Sequence, residues 1–142
     1  MENADFRRSH IYAFNTTPVT LTPSLGDGGT PLAFTLVGPA HRIRINNTGT
    51  VFTLPRGVYQ VTVNVNLNAL TTNGLSILVD NVQLTNAQAG MPVVTNDAIQ
   101  NLIAQIRVER DANISIVAVQ SPTLGVAVAQ TVNSAYITIT RI

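Results

Sequence analysis

Between Gly57 and Ala69 the chain reads GVYQVTVNVNLNA. Tyr59, Val61, Val63, Val65 and Leu67 fall on one parity, and Gln60, Thr62, Asn64, Asn66 and Asn68 fall on the other. Strand side chains alternate faces with period two, so the segment predicts a strand with one buried and one polar face. A helical period would scatter the same valines around a cylinder. The β-branched side chains suit the centre of a sheet.

Shorter runs of the same kind lie on both sides of it. Ile11 to Phe14 and Val19 to Thr22 flank the turn residues 15–18, and residues 23–31 form a loop rich in glycine at Gly26, Gly28 and Gly29. Leu32 to Val37 is followed by Gly38-Pro39, which reads as a break. From His41 to Ile45, Ile43 and Ile45 alternate with Arg42 and Arg44. Asn46 to Gly49 turns into Val51 to Leu54, and Pro55-Arg56-Gly57 opens the long strand. Leu75, Ile77 and Val79 lead across Asp80-Asn81 to Val82 and Leu84. Asp and Asn tolerate the positive φ angles of a two-residue hairpin turn. Residues 86–98 are a polar loop.

Residues 98–110 fit two templates: Leu102, Ala104, Ile106 and Val108 make a strand face, whereas Ile99, Leu102, Ile103 and Ile106 make a helical stripe. The neighbouring strands favour the first. Ile114 to Val119 follows a turn at Asp111-Ala112-Asn113, residues 121–130 alternate weakly, and Tyr136 to Ile142 closes the chain. About ten short strands at this spacing predict an all-β, single-domain jelly-roll sandwich over residues 11–142. Residues 1–10 have no period, carry Glu2, Asp5, Arg7 and Arg8, and read as a short N-terminal arm.

Composition changes the picture mainly at the surface. Charged residues make up 11% of the 142 and hydrophobic residues 45%, against about 25% charge in ordinary soluble domains. Thr, Asn, Gln and Ser must cover the outside, and a surface so weakly charged favours self-association. A net charge of +1, with Arg42, Arg44, Arg56, Arg107 and Arg110 scattered along the chain, gives no case for nucleic acid. The chain has neither Cys nor Lys. That excludes disulfides, Cys-zinc sites, Schiff-base chemistry and Lys–Asn crosslinks, so assembly is expected to be noncovalent. MENADFRRSH lacks the long apolar core of a secretory signal, and no apolar window is long enough for a membrane helix.

No catalytic set emerges. His10 and His41 read as solvated side chains, in the arm and in an exposed strand. The run Gly26-Asp27-Gly28-Gly29 lacks the Lys and helix of a phosphate loop. Asp80, Asp97 and Asp111 each sit alone at a turn, where no dense calcium-ligand loop is formed. Three sequons, starting at Asn15, Asn46 and Asn113, are expected by chance in a chain so rich in Asn and Thr. The aromatic residues read mostly as core. No enzyme activity, cofactor or metal is expected.

VFTLPRGVYQVTVNVNL, residues 51–67, resembles the central block of the TNF/C1q-like jelly rolls, in which a strand ends in a Pro-Gly turn and Gly-x-Tyr opens the next. IYAFN at 11–15, LSILVDNVQL at 75–84 and SAYITITRI at 134–142 resemble the opening strand, hairpin and closing strand of a narrower group. That group is the C-terminal heads of the Bacillus spore-surface (exosporium) collagen-like proteins of the BclA type. Order and spacing agree over residues 11–142. The resemblance implies a tight homotrimer, with one sheet of each protomer on a threefold axis and the first, long central and last strands contributing. It implies Tyr12, Phe14, Val117, Val119, Tyr136 and Ile142 as trimer-interface residues and Tyr59 as a core residue. If the Gln, Thr and Asn face of the long strand meets the axis, its groups need hydrogen bonds to avoid a desolvation penalty.

The expected function is a structural protein of a spore or cell surface, a homotrimer assembled into a fibre or lattice. In place of a collagen-like stalk there is only the arm, whose Phe6 would anchor in a neighbouring trimer while Arg7 and Arg8 set the register. The expected partners are further copies, with other spore-surface proteins or glycans beside them, and neither nucleic acid nor membrane. The alternative is a receptor- or glycan-binding head that uses the loops at 23–31, 70–74 and 86–98.

Overall fold

The computed structural model describes residues 8–21, 31–67, 73–83, 99–120 and 130–142; some strand-end side chains, that of Val119 among them, lie outside this description. Among the described residues eleven strands follow in order: β1 (His10–Asn15), β2 (Val19–Leu21), β3 (Leu36–His41), β4 (Arg44–Ile45), β5 (Phe52–Leu54), β6 (Gly57–Leu67), β7 (Asn73–Val79), β8 (Val82–Gln83), β9 (Ile99–Val108), β10 (Ala112–Gln120) and β11 (Gln130–Arg141). Among the described residues there is no helix long and apolar enough to cross a membrane.

The strands form two antiparallel sheets. The larger runs β3-β1-β11-β6-β9, with β2 also paired to β11, and the smaller runs β4-β5-β10-β7-β8. The long strand β6 lies between β11 and β9, paired over nearly its whole length. Its alternation works as the sequence predicts. Tyr59, Val61, Val63 and Val65 are buried, and they meet Ile137 and Ile139 of β11, Ile11 and Ala13 of β1, and Leu102 and Ile106 of β9 in the core. Leu54, Leu75, Ile77, Ile114 and Ile116 close that core from the smaller sheet, with Phe34 and Phe52 in contact at 5.8 Å between ring centroids. The Tyr59 hydroxyl donates to the Pro55 carbonyl at 2.6 Å. Burial pushes its pKa above the ordinary 10.0, against the smaller opposing pull of Ser9 and Arg141.

Two turns show how local chemistry sets the chain's course. Asp80 and Asn81 hold φ of 48° and 67°, the two left-handed residues that a tight hairpin between β7 and β8 requires. At the β4–β5 turn, Asn46 Oδ1 accepts from the amides of Thr50 at 2.8 Å and Val51 at 3.1 Å. Gly49, at φ 74°, presses against Phe34, where an added Cβ would lie 2.3 Å from the Phe34 carbonyl oxygen. Only glycine fits there.

Three expectations need correction. Gly38-Pro39 does not end the strand: β3, an edge strand, runs through both residues, and they mark a bulge in its pairing, since Val37 meets Ala13 while Ala40 meets Ile11. His41 to Ile45 is not one strand. Arg42 takes φ 63° and separates β3 from β4, although Ile43 is buried as its parity suggested. The segment at 98–110 resolves as the strand β9, and the closing strand starts six residues earlier than expected, at Gln130 rather than Tyr136.

Candidate self-association surface

The outward parity of the larger sheet can be read across its strands. Leu36, Phe14, Tyr136, Asn64 and Asn101 are successive partners from β3 to β9. The next row holds Tyr12, Thr138, Thr62 and Ile103. The row after that holds His41, His10, Thr140, Gln60 and Gln105. The face therefore carries its aromatic side chains on β1 and β11, with Leu36 beside them on β3, and is mostly amides and hydroxyls over β6 and β9, where Ile103 is the exception.

The aromatic half is one cluster. Tyr12 lies 5.5 Å from Phe14 and 6.2 Å from Tyr136 between ring centroids. Tyr12 and Tyr136 are 37% and 39% exposed. Gly38 makes room for this arrangement, since a Cβ there would lie 2.8 Å from Tyr12 Cδ1. Of the eight exposed large hydrophobic residues among those described, seven (Tyr12, Leu36, Val37, Val58, Ile103, Tyr136 and Ile142) belong to this sheet or its end; Val82 alone belongs to the other. Surface apolar side chains are usual when scattered, and their concentration on one sheet is what marks an interaction surface.

The polar half is internally bonded. Asn64 donates its amide to Asn101 Oδ1 on β9, and Asn133 donates to Asn66 Oδ1 at 3.4 Å. These bonds satisfy part of the amide chemistry that covering the face would otherwise strand.

At one end of the face, the Arg141 amide donates to the Ser9 carbonyl and the Ile142 amide to the Val58 carbonyl, each at 2.8 Å. Arg8 is exposed there. It lines one shallow depression with His10, Tyr12 and Pro39, and another with Gln60, Thr62 and Ile142. The root of the arm thus opens onto the same face as the aromatic cluster. Phe6 and Arg7 lie outside the described residues.

The residues expected at a trimer interface divide as follows. Tyr12, Phe14 and Tyr136 come together, and Ile142 sits at the end of the same sheet, 58% exposed. Val117 does not join them. It lies on β10 of the smaller sheet, fully buried and clustered with Leu78, so its side chain has no surface to offer a partner. Val119 is on the same strand, with its side chain outside the described residues. The binding-head loops at 23–31, 70–74 and 86–98 lie outside the described residues apart from Pro31, Asn73 and Gly74.

Sequence reasoning missed Leu36, Ile103 and the meeting of the two histidines. Ile103 had a signal: it is apolar on the parity of Asn101, Gln105 and Arg107. The histidines are cross-strand partners on β1 and β3, with rings stacked at 6.0 Å. Among the described residues no group of three or more His, Cys, Asp or Glu converges as a metal site.

No family model matches the chain, and no curated protein matches it in sequence. Solved structures do share its fold. The globular domain of zebrafish complement 1qA protein is similar at a TM-score of 0.65 and 11% identity, over 94% of this chain and 97% of that one. Eiger TNF from S. frugiperda is similar at 0.60 and 16% identity, over 95% and 91%. Rabbit GITRL is similar at 0.50 and 12% identity, over 93% of each. The fold is a TNF/C1q-like jelly roll.

Proposed function

We propose that this chain is a non-enzymatic structural protein that associates with two copies of itself through the open face of its larger sheet. The trimers build a fibre or lattice at a spore or cell surface, such as an exosporium or a spore appendage, and the arm residues Phe6, Arg7 and Arg8 link one trimer to the next. The observation that carries this reading is the Tyr12, Phe14 and Tyr136 cluster, with both tyrosines exposed on the face built by the first, last and long central strands. The internal Asn–Asn bonds of the polar half support it, because part of their amide chemistry enters an interface already paired. The surface setting rests on the likeness of residues 11–15, 51–67, 75–84 and 134–142 to the BclA-type heads. The linking role of the arm rests on its charge and on its root beside the open face.

Solution mass and negative-stain electron microscopy test it, on the full chain and on a form lacking residues 1–7. That deletion keeps Ser9, whose carbonyl receives the Arg141 amide. Fibres from the full chain and discrete trimers from the shortened one are the expected result. Discrete trimers from both would reduce the arm to a tail and favour the binding-head reading. Monomers from both would overturn the proposal.

A further inference from the structure

The chain has only two histidines, and the fold sets them directly opposite each other across β1 and β3. Their ring centroids are 6.0 Å apart and their planes 28° from parallel. His10 Nδ1 lies 2.9 Å from the carbonyl oxygen of Arg8. A carbonyl only accepts, so Nδ1 donates, and in the neutral ring Nε2 is then the nitrogen with the free lone pair. His41 Nε2 is buried and meets no hydrogen-bond partner. A ring held through one nitrogen by a backbone carbonyl, with the other nitrogen unprotonated, is in the state in which histidine ligates a metal.

We propose that His10 and His41 form a two-imidazole site for a divalent transition cation of the Zn2+, Ni2+ or Cu2+ class, with water completing the coordination. Imidazole suits those ions, whereas Ca2+ and Mg2+ seek oxygen ligands. The reach is adequate. With metal–nitrogen bonds of about 2.0–2.1 Å, two imidazoles sharing one ion have centroids about 5–6 Å apart. Stacked rings must turn to aim at a common point, and χ2 of histidine is a broad torsion. His41 can turn without breaking a bond at Nε2, since that atom makes none. Arg8 lines the depression beside His10, and Arg42 follows His41 in the chain. Both cations oppose the ion's charge and hold the affinity below that of a carboxylate-supported site.

The test is calorimetric titration of the full-length protein, free of any polyhistidine tag, with Ni2+. Saturable binding of one ion per chain is expected, weakened more than about tenfold by His10→Gln and likewise by His41→Gln, as loss of a ligand requires. The chain has no Cys and no third His to stand in for either imidazole. A second measurement needs no variant: Zn2+ should shift the ring-proton resonances of both histidines together. Absence of saturable binding, binding kept by either variant, or a shift confined to one ring would overturn the site.

Discussion

On β7 and β10 the side chains that point away from the main core, Ser76, Leu78 and Val117, are nonetheless buried, whereas on β1 and β11 the outward Tyr12 and Tyr136 reach solvent. Both sheets use the same alternation, yet the smaller one is covered on its far side at Ser76, Leu78 and Val117, while Asn113 stays exposed towards one end. Full burial of a large apolar side chain contributes about 1.5–3 kcal/mol. Tyr12, Leu36, Ile103 and Tyr136 therefore hold several kcal/mol that the folded chain alone does not realise, against a cost of about 4–15 kcal/mol for any association. The smaller sheet completes the monomer. The larger one leaves part of its apolar surface facing solvent.

Val117→Lys gives the largest effect. It places an uncompensated charge on the closed side, and denaturant unfolding should register a loss of more than about 3 kcal/mol, or no folded protein at all. Unchanged stability would mean that this side is open after all. Tyr136→Lys makes the same kind of change on the open side with the opposite result. The variant keeps its β-sheet circular dichroism, and its mass by light scattering falls to that of the monomer; a surviving trimer would break the contrast. Tyr59→Phe sharpens it on a smaller scale, because Tyr59 is the tyrosine on the inward parity. Loss of the bond to Pro55 should lower stability by about 1 kcal/mol near neutral pH. Burial raises the Tyr59 pKa in the folded state, so above pH 10.0 the unfolded chain releases this proton first and stability falls as pH rises. The Phe variant should show a flatter decline in alkaline melts.

Much of this architecture is legible in the residues. The parity of residues 57–67 fixes a central strand and its two faces, and Asp80-Asn81 fixes a hairpin, because each depends on neighbours along the chain. The alternation in IYAFN and SAYITITRI puts Tyr12, Phe14 and Tyr136 on the parity opposite Ile11, Ala13 and Ile137. What stayed hidden depends on position within a sheet. Gly38-Pro39 reads as a break unless β3 is known to be an edge. Ile114 to Val119 is apolar on both parities, so nothing local tells which sheet holds Val117 or that both of its faces are covered. The histidine pair forms only through the register of β1 on β3, which is shifted between Ile11 and Ala13, opposite Gly38-Pro39; that dipeptide signals an irregularity but not which residues it brings into register.

The place of β11 also governs how the chain reaches this state. It lies between β1, the earliest strand, and β6, so residues 130–141 join two segments made long before them. During synthesis both earlier strands keep raw edges until residues 130–141 leave the ribosome. Pairing of this kind closes long loops and is slow, and the waiting edges invite pairing with the wrong chain. The slow step and the aggregation hazard therefore fall at the same moment, when the last strand slots home.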